Sequence, residues 1–395
     1  LNGEPVSASK ELLIGLLREE IGFSGLCVSD YGAVGNAHSV QHIGESFAEA
    51  GYRCMEAGMD MELPSCIGWN DELKAMFASS EADMAVLDRA VLRVLEAKFR
   101  MGLFEHPFAL QGEALRAVFS DQLDREISLQ STRESLVLLK NDGTLPLRKT
   151  VKKIALIGPH ADCARKFFGG YTHLCMMEST LAVSNSIAGV SGVVNDGRPI
   201  RTVPGTNIQS DEGKEFDEIL RRQKPGCRSL LEELRARLPD TEISYAYGYP
   251  IAGSDEGGFA EALRAAQDAD LVILTLGGKH GTCSMASMGE GVDASNINLP
   301  PCQDAFLRNA AKLGKPLIGV HFDGRPISSD TADECLDAIL EAWSPAECGA
   351  QAVADALLGD YNPGGKLPVT FYRSNDDLPD FLDYSMKNRT YRYFT

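Results

Sequence analysis

Apolar and polar positions fall into two rhythms along this chain. Leu12, Leu13, Leu16, Leu17 and Ile21 share one stripe and predict a helix over 11–22. The apolar run Gly25–Ser29 predicts a short buried strand that ends in Asp30. Val40, Ile43, Phe47, Ala50, Cys54 and Ala57 recur in steps of three and four, the spacing of one helix face. "AGMDMELP" at 57–64 predicts another short strand, ended by Pro64. Leu87, Val91, Val94, Leu95 and Phe99 predict a helix over 83–101. The order is β-α-β-α, which points to parallel strands joined by helices.

Gly102 and Pro107 break this pattern, and the first region is expected to end at residue 108. A connector is expected over 109–150, with a helix at 121–134 and then "LVLLKNDGTLPL", a strand and an Asp-Gly turn. A second region spans 151–370. Its apolar runs at 154–157, 243–250, 270–278, 316–321 and 337–341 predict strands. Helices are predicted between and around them at 227–238, 258–267, 302–312 and 347–358. The fold class is therefore α/β, with an open sheet covered on both faces. Residues 371–395 are expected to be an extended linker.

Composition narrows the function more than the fold. The chain has 395 residues, 44% hydrophobic and 24% charged, with a formal net charge of −18. This acidity excludes a basic nucleic-acid surface and disfavours an anionic membrane; its plain reading is solubility. Ten cysteines form no C-x-x-C pair, so a zinc ribbon is not expected. Several sit in apolar runs, as free thiols do in a reducing, cytoplasmic compartment. The histidines are scattered without metal spacing, so neither a metal nor a cofactor is expected. The chain opens on Leu1 in mid-pattern with no signal peptide visible, and the expectation is that the true amino terminus lies upstream.

Two places carry candidate chemistry. Asp30 closes an apolar strand, the address of catalytic groups at the carboxyl ends of barrel strands. Gly32 lets the backbone turn away, and Tyr31 offers a ring face to a sugar; the alternative role for Asp30 is to cap the next helix. The second place is "SMASMGEGVDASNINLP" at 284–300, which follows the longest apolar strand. Ligands bind at that edge of an open α/β sheet. Gly289 and Gly291 bracket Glu290; the alternative is an acidic loop without a role. Lys279 and His280 follow the same strand end and are candidate ligand contacts, or solvated loop residues. "GPHAD" at 158–162 is neither a P-loop nor a dinucleotide fingerprint, which argues against a nucleotide-binding protein.

"GFSGLCVSDYGAV" resembles the nucleophile segment of glycoside hydrolase family 3. "AGMDMELP", "AKFRMGLFEHPF", "ESLVLLKNDGTLPL" and "KIALIGPHAD" resemble that family's landmarks in the family's order. "GEGVDASNINLPPCQ" resembles its acid/base loop, and "YNPGGKLPVTF" and "RTYRYF" its exit from the second domain. The resemblance covers nearly the whole chain. It implies the C-terminal part of a (β/α)8 barrel over 1–108 and an α/β sandwich domain over 151–370. It also implies Asp30 as nucleophile and Glu290 as acid/base. Where family members often carry Arg after the Asp of the acid/base loop, Ala294 follows Asp293.

The family's chemistry implies a retaining hydrolase of terminal β-linked sugars, working through a covalent glycosyl-aspartate. β-Glucosides are the expected substrates, with β-xylosides or other exo-cleaved β-glycosides as the alternative. Tyr31, Lys279 and His280 are the candidate sugar contacts. The first six barrel strands and the fibronectin type III-like domain of many relatives are not in the sequence, so a partial gene product is expected. An inactive carbohydrate-binding fragment is the competing reading.

Overall fold

The computed structural model describes residues 3–119, 121–182, 186–187, 190–191, 201–211, 213–292, 294–387 and 389. Asp293 and residues 390–395, which include most of "RTYRYF", lie outside the described residues. The chain divides into two units, Leu1–Phe119 and Ser120–Thr395.

In the first unit the stripe of Leu12–Ile21 forms the helix Glu11–Glu20, wound with i→i+5 hydrogen bonds. The apolar recurrence from Val40 to Ala57 does not form one helix. Val40 and Ile43 lie past the end of the helix Ala33–Ser39, where His42 and Gly44 take positive φ (57° and 75°) and turn the chain, and only Phe47–Ala57 is helical. Ser46 then starts the second helix by accepting from the Glu49 N–H, and Gly58 ends it at φ 118°. Phe47–Ala57 is the hub of the unit. Ala50, Cys54 and Ala57 pack with Leu13, Val34, Ala37 and Met59. Ala48 and Met55 pack with Leu73, Phe77, Val86 and Ala90. The last two come from Met84–Arg100, the helix expected over 83–101. A helix at Asp71–Ala78, capped by Asn70, carries too few apolar turns to stand out in the sequence.

The two expected strands of this unit are reduced to a short parallel pairing of Val28 with Met61. The Ser29 N–H donates to Met61 O (2.9 Å), and the Asp60 N–H to Cys27 O (2.8 Å). The run is not buried throughout: Val28 is 41% exposed. A polar bracket holds the pair. Asp60, 3% exposed, accepts from Arg18 (2.7 Å), Arg93 (2.8 Å) and the Cys27 N–H (3.0 Å). One carboxylate thus ties the helices Glu11–Glu20 and Met84–Arg100 to the strand.

The second unit is built on one sheet. Its strands are β1 Val137–Asn141, β2 Lys153–Ile157, β3 Glu242–Ala246, β4 Leu271–Gly277, β5 Leu317–Phe322 and β6 Ala338–Glu341. Their order is β1-β6-β5-β4-β2-β3. All pairs are parallel except β1 with β6. The strand β1 and the helix Asp121–Ser135, read from sequence as connector, belong to this unit.

The sheet separates two apolar layers, as period-2 alternation requires. Leu271 and Ile273 of β4 face one layer with Leu230, Leu234, Val353 and Leu357. Val272, Leu274 and Leu276 face the other with Phe259, Ala262, Phe306 and Leu307. Helices therefore cover both faces. The helices His173–Leu181, Lys214–Gln223 and Asp330–Cys335 are additions to the sequence reading, being short or strongly polar.

Candidate active site

Asp30 stands one residue beyond the Val28–Met61 pairing, and the backbone around it is fixed from the neighbouring segment. Ser29 is buried, and its hydroxyl accepts from the Leu63 N–H (2.9 Å). The Gly32 N–H donates to Leu63 O (2.9 Å). Gly32 adopts φ 74°, a left-handed conformation that turns the chain sharply into the helix Ala33–Ser39. That helix begins without a side-chain cap, so Asp30 is not its cap. The Asp30 carboxylate instead accepts from the Tyr31 N–H (2.7 Å) and is solvent-exposed. Tyr31 is 67% exposed, its ring open beside the carboxylate.

The segment beneath Asp30 is itself organised by Glu62, which the sequence reading passed over. Its carboxylate is 7% exposed and accepts from the backbone N–H groups of Ile67 (3.1 Å), Gly68 (3.0 Å) and Trp69 (2.9 Å). The signal was there in "AGMDMELP": two acids inside an apolar run need internal partners.

In the second unit, Glu290 sits at the tip of a loop that doubles back on itself after β4. His280 bridges Met288 in parallel, and Gly289 bridges Val292. The Ser287 N–H donates to Lys279 O (3.0 Å), and the Ser287 hydroxyl accepts from the Lys279 N–H (2.9 Å). Gly289 adopts φ 135°, and a Cβ there would lie 2.0 Å from Gly281 O. Only glycine fits this turn. Glu290 is exposed, and one of its oxygens accepts from the Tyr171 hydroxyl, a partner the sequence did not indicate.

Lys279 does not present its amine to this loop's surface as a sugar contact would require. It is fully buried, with Nζ 2.6 Å from Glu178 and 3.7 Å from Asp211. Arg165 and Lys166 complete the cluster: Arg165 reaches Glu178 (2.6 Å), and Lys166 reaches Asp211 (2.6 Å). These cations, Lys166 first, hold the Asp211 carboxyl far below the usual carboxylate range against its burial. Lys279 thereby fastens the root of the loop to the helix His173–Leu181. His280 is half-buried. A Cβ on Gly169 would lie 2.5 Å from its Nδ1, and one on Gly324 would lie 2.4 Å from its Cγ, so its ring lies against glycine backbone. Burial pushes its pKa down, keeping the imidazole neutral.

Comparison with known proteins agrees with both units. Residues 1–97 match the glycosyl hydrolase family 3 N terminal domain, and residues 136–395 the glycosyl hydrolase family 3 C-terminal domain. The chain belongs to glycoside hydrolase family 3. A periplasmic beta-glucosidase of Salmonella typhimurium is 32% identical over 99% of this chain and 47% of its own length. A beta-xylosidase of Formosa agariphila is 32% identical over 96% of this chain and 47% of its own. A solved beta-glucosidase from Listeria innocua aligns with TM-score 0.73 at 28% identity, over 98% of this chain and 46% of that one. The chain spans about half the length of the curated relatives it matches.

Proposed function

We propose that this chain supplies the two catalytic carboxyl groups of a retaining exo-β-glycosidase. Asp30 attacks the anomeric carbon while Glu290 delivers its proton to the departing glycosidic oxygen. The C–O bond to the aglycone breaks as the Asp30–C1 ester forms. Water, deprotonated by Glu290, then cleaves that ester and regenerates both groups with net retention. Tyr31 offers its ring to the sugar, and His280 lies beside the acid/base loop as a neutral polar contact.

The observation that supports this most is the bracket around Asp30. An exposed carboxylate stands on a backbone fixed through Ser29, Gly32 and Leu63, in a segment that matches the family. Positional precision of this kind is what a nucleophile needs. β-Glucosides are the first substrates to try. β-Xylosides are the second, because the Formosa relative named a beta-xylosidase is as similar as the Salmonella relative named a beta-glucosidase.

The test is covalent trapping. The chain is incubated with 2-fluoro-glucosyl and 2-fluoro-xylosyl fluorides and digested, and the labelled peptide is identified by mass spectrometry. The expected adduct is on Asp30, with the faster sugar naming the preference. D30N should lose the label and turnover of an aryl glycoside by about 10³-fold or more. Turnover that survives D30N would overturn Asp30 as nucleophile, and a chain that neither takes label nor turns over substrate would leave the non-catalytic carbohydrate-binding reading.

A further inference from the structure

His321, Asp323 and Glu341 meet at the carboxyl ends of β5 and β6. The ladder forces this meeting. His321 pairs with Glu341 in the parallel register, so their side chains leave the same face of the sheet. Asp323 lies two residues beyond His321 and returns to that face. The three side chains bring one donor atom each within 4.8 Å of one another. His321 Nδ1 and Glu341 Oε2 are 3.8 Å apart.

All three are almost fully enclosed, at 3%, 1% and 0% exposed respectively. Both ring nitrogens of His321 lack a hydrogen-bond partner. The Asp323 and Glu341 carboxyls have each other, Asp323 also takes a hydrogen bond from the Arg325 backbone, and Glu341 Oε1 accepts from the Trp343 N–H (2.8 Å). Buried polar atoms without partners are costly, and the His321 nitrogens stand beside two buried carboxyls that share one point.

We propose that His321, Asp323 and Glu341 bind a divalent transition-metal ion, with zinc or manganese the best matches. One imidazole nitrogen with two carboxylates is a mixed donor set. It suits these ions better than calcium or magnesium, which take oxygen ligands alone. Two carboxylates balance the 2+ charge of the ion itself, with the Arg325 cation beside Asp323. Metal–ligand bonds of roughly 2.0–2.1 Å set donors about 3.3 Å apart, so the present spacing contracts on binding. The protonation chemistry is compatible. Burial pushes the His321 imidazole down to about 4, leaving its lone pair available at neutral pH. Burial, partly offset by its hydrogen bond with Glu341 and then by nearby Arg325, pushes Asp323 up to about 8, and burial together with the Asp323 charge raises Glu341. A metal would displace those protons.

The ion would be structural. Gly324, next to Asp323, donates its N–H to Met288 Sδ (3.1 Å) and lies against the His280 ring. The site therefore fastens the ends of β5 and β6 beside the loop that carries Glu290. It does not depend on the catalytic proposal, because its readout is metal content.

The chain, stripped with chelator, is dialysed against zinc, manganese or magnesium chloride, and bound metal is counted by plasma mass spectrometry. The D323N/E341Q variant keeps all ten cysteines, so the difference between the two proteins isolates this site from thiol binding. The expected result is about one additional equivalent of zinc or manganese in the unsubstituted chain. A metal-dependent rise in Tm, absent from the variant, should accompany it. Cobalt(II) loading should give visible d–d bands without thiolate charge transfer. Should the double variant fail to fold, H321Q is read the same way. Equal uptake by both proteins, or magnesium bound as well as zinc, overturns the assignment.

Discussion

Strand β4 of the second unit is buried at every position, whereas the apolar run Gly25–Ser29 in the first leaves Val28 41% exposed. Both read as buried strands from sequence. The difference lies in partners. β4 has a parallel neighbour on each side and an apolar layer on each face. Val28 has, among the described residues, the Met61 pairing on one side. The two units accordingly weight their forces differently. The second rests chiefly on apolar packing across a sheet, beside the buried Lys279 cluster. The first concentrates its organisation in Asp60 and Glu62, whose carboxylates accept from two arginines and four backbone N–H groups.

That contrast breaks most easily in the apolar layer. Phe306 is fully buried, with ring centroids 5.0 Å from Tyr249 and 5.2 Å from Phe259. F306A should cost about 3–5 kcal/mol. Hydrogen exchange should show this as faster exchange in β4, with the first unit's helices unchanged. An equal rise in both units would show that they unfold together.

D60N tests the polar bracket. It removes the charge that pairs Arg18 with Arg93, and loss of one partner in a buried pair costs about 3 kcal/mol. Exchange should quicken in Glu11–Glu20 and Met84–Arg100 and leave β4 protected. Unchanged exchange in those helices would mean that packing, and not Asp60, holds them.

Acid should act on the second unit through His160. Burial keeps its imidazole neutral, with a pKa pushed down to about 3. Its unfolded value is near 6.5, so its contribution is complete above pH 6.5. It fades as the pH falls toward 3, because the unfolded chain binds the proton first. The loss amounts to at most a few kcal/mol. Asp211, whose pKa is lowered, adds to the loss below about pH 4. His321 acts on the urea midpoint in the same sense and the raised carboxyls of Asp323 and Glu341 in the opposite one, so the test is the difference: between pH 7 and 4 the midpoint of H160Q should fall less, or rise more, than that of the unsubstituted chain. An identical slope in H160Q would remove His160 from the account.

Sequence showed the sheet of the second unit well, because its parallel buried strands are continuous apolar runs bounded by turn residues and helices. It showed less of the helices. His173–Leu181 lacks a polar face, and the break at His42–Gly44 interrupts a recurrence that stays helical on paper. Asp30 and Glu290 stood out through family motifs more than through spacing. What stayed hidden was pairing at long range. Lys279 looks like a loop residue until Glu178 and Asp211 close on it, and His321 looks isolated until β6 brings Glu341 alongside.

The closure of Gly289 onto the carbonyl of Gly281 has a practical corollary for protein engineering. Residues 279–292 form a cassette whose internal length is locked. Inserting or deleting even one position inside it would displace the acidic tip, whereas exchange of the entire cassette between homologous enzymes, cut outside both ends, should transplant that tip intact.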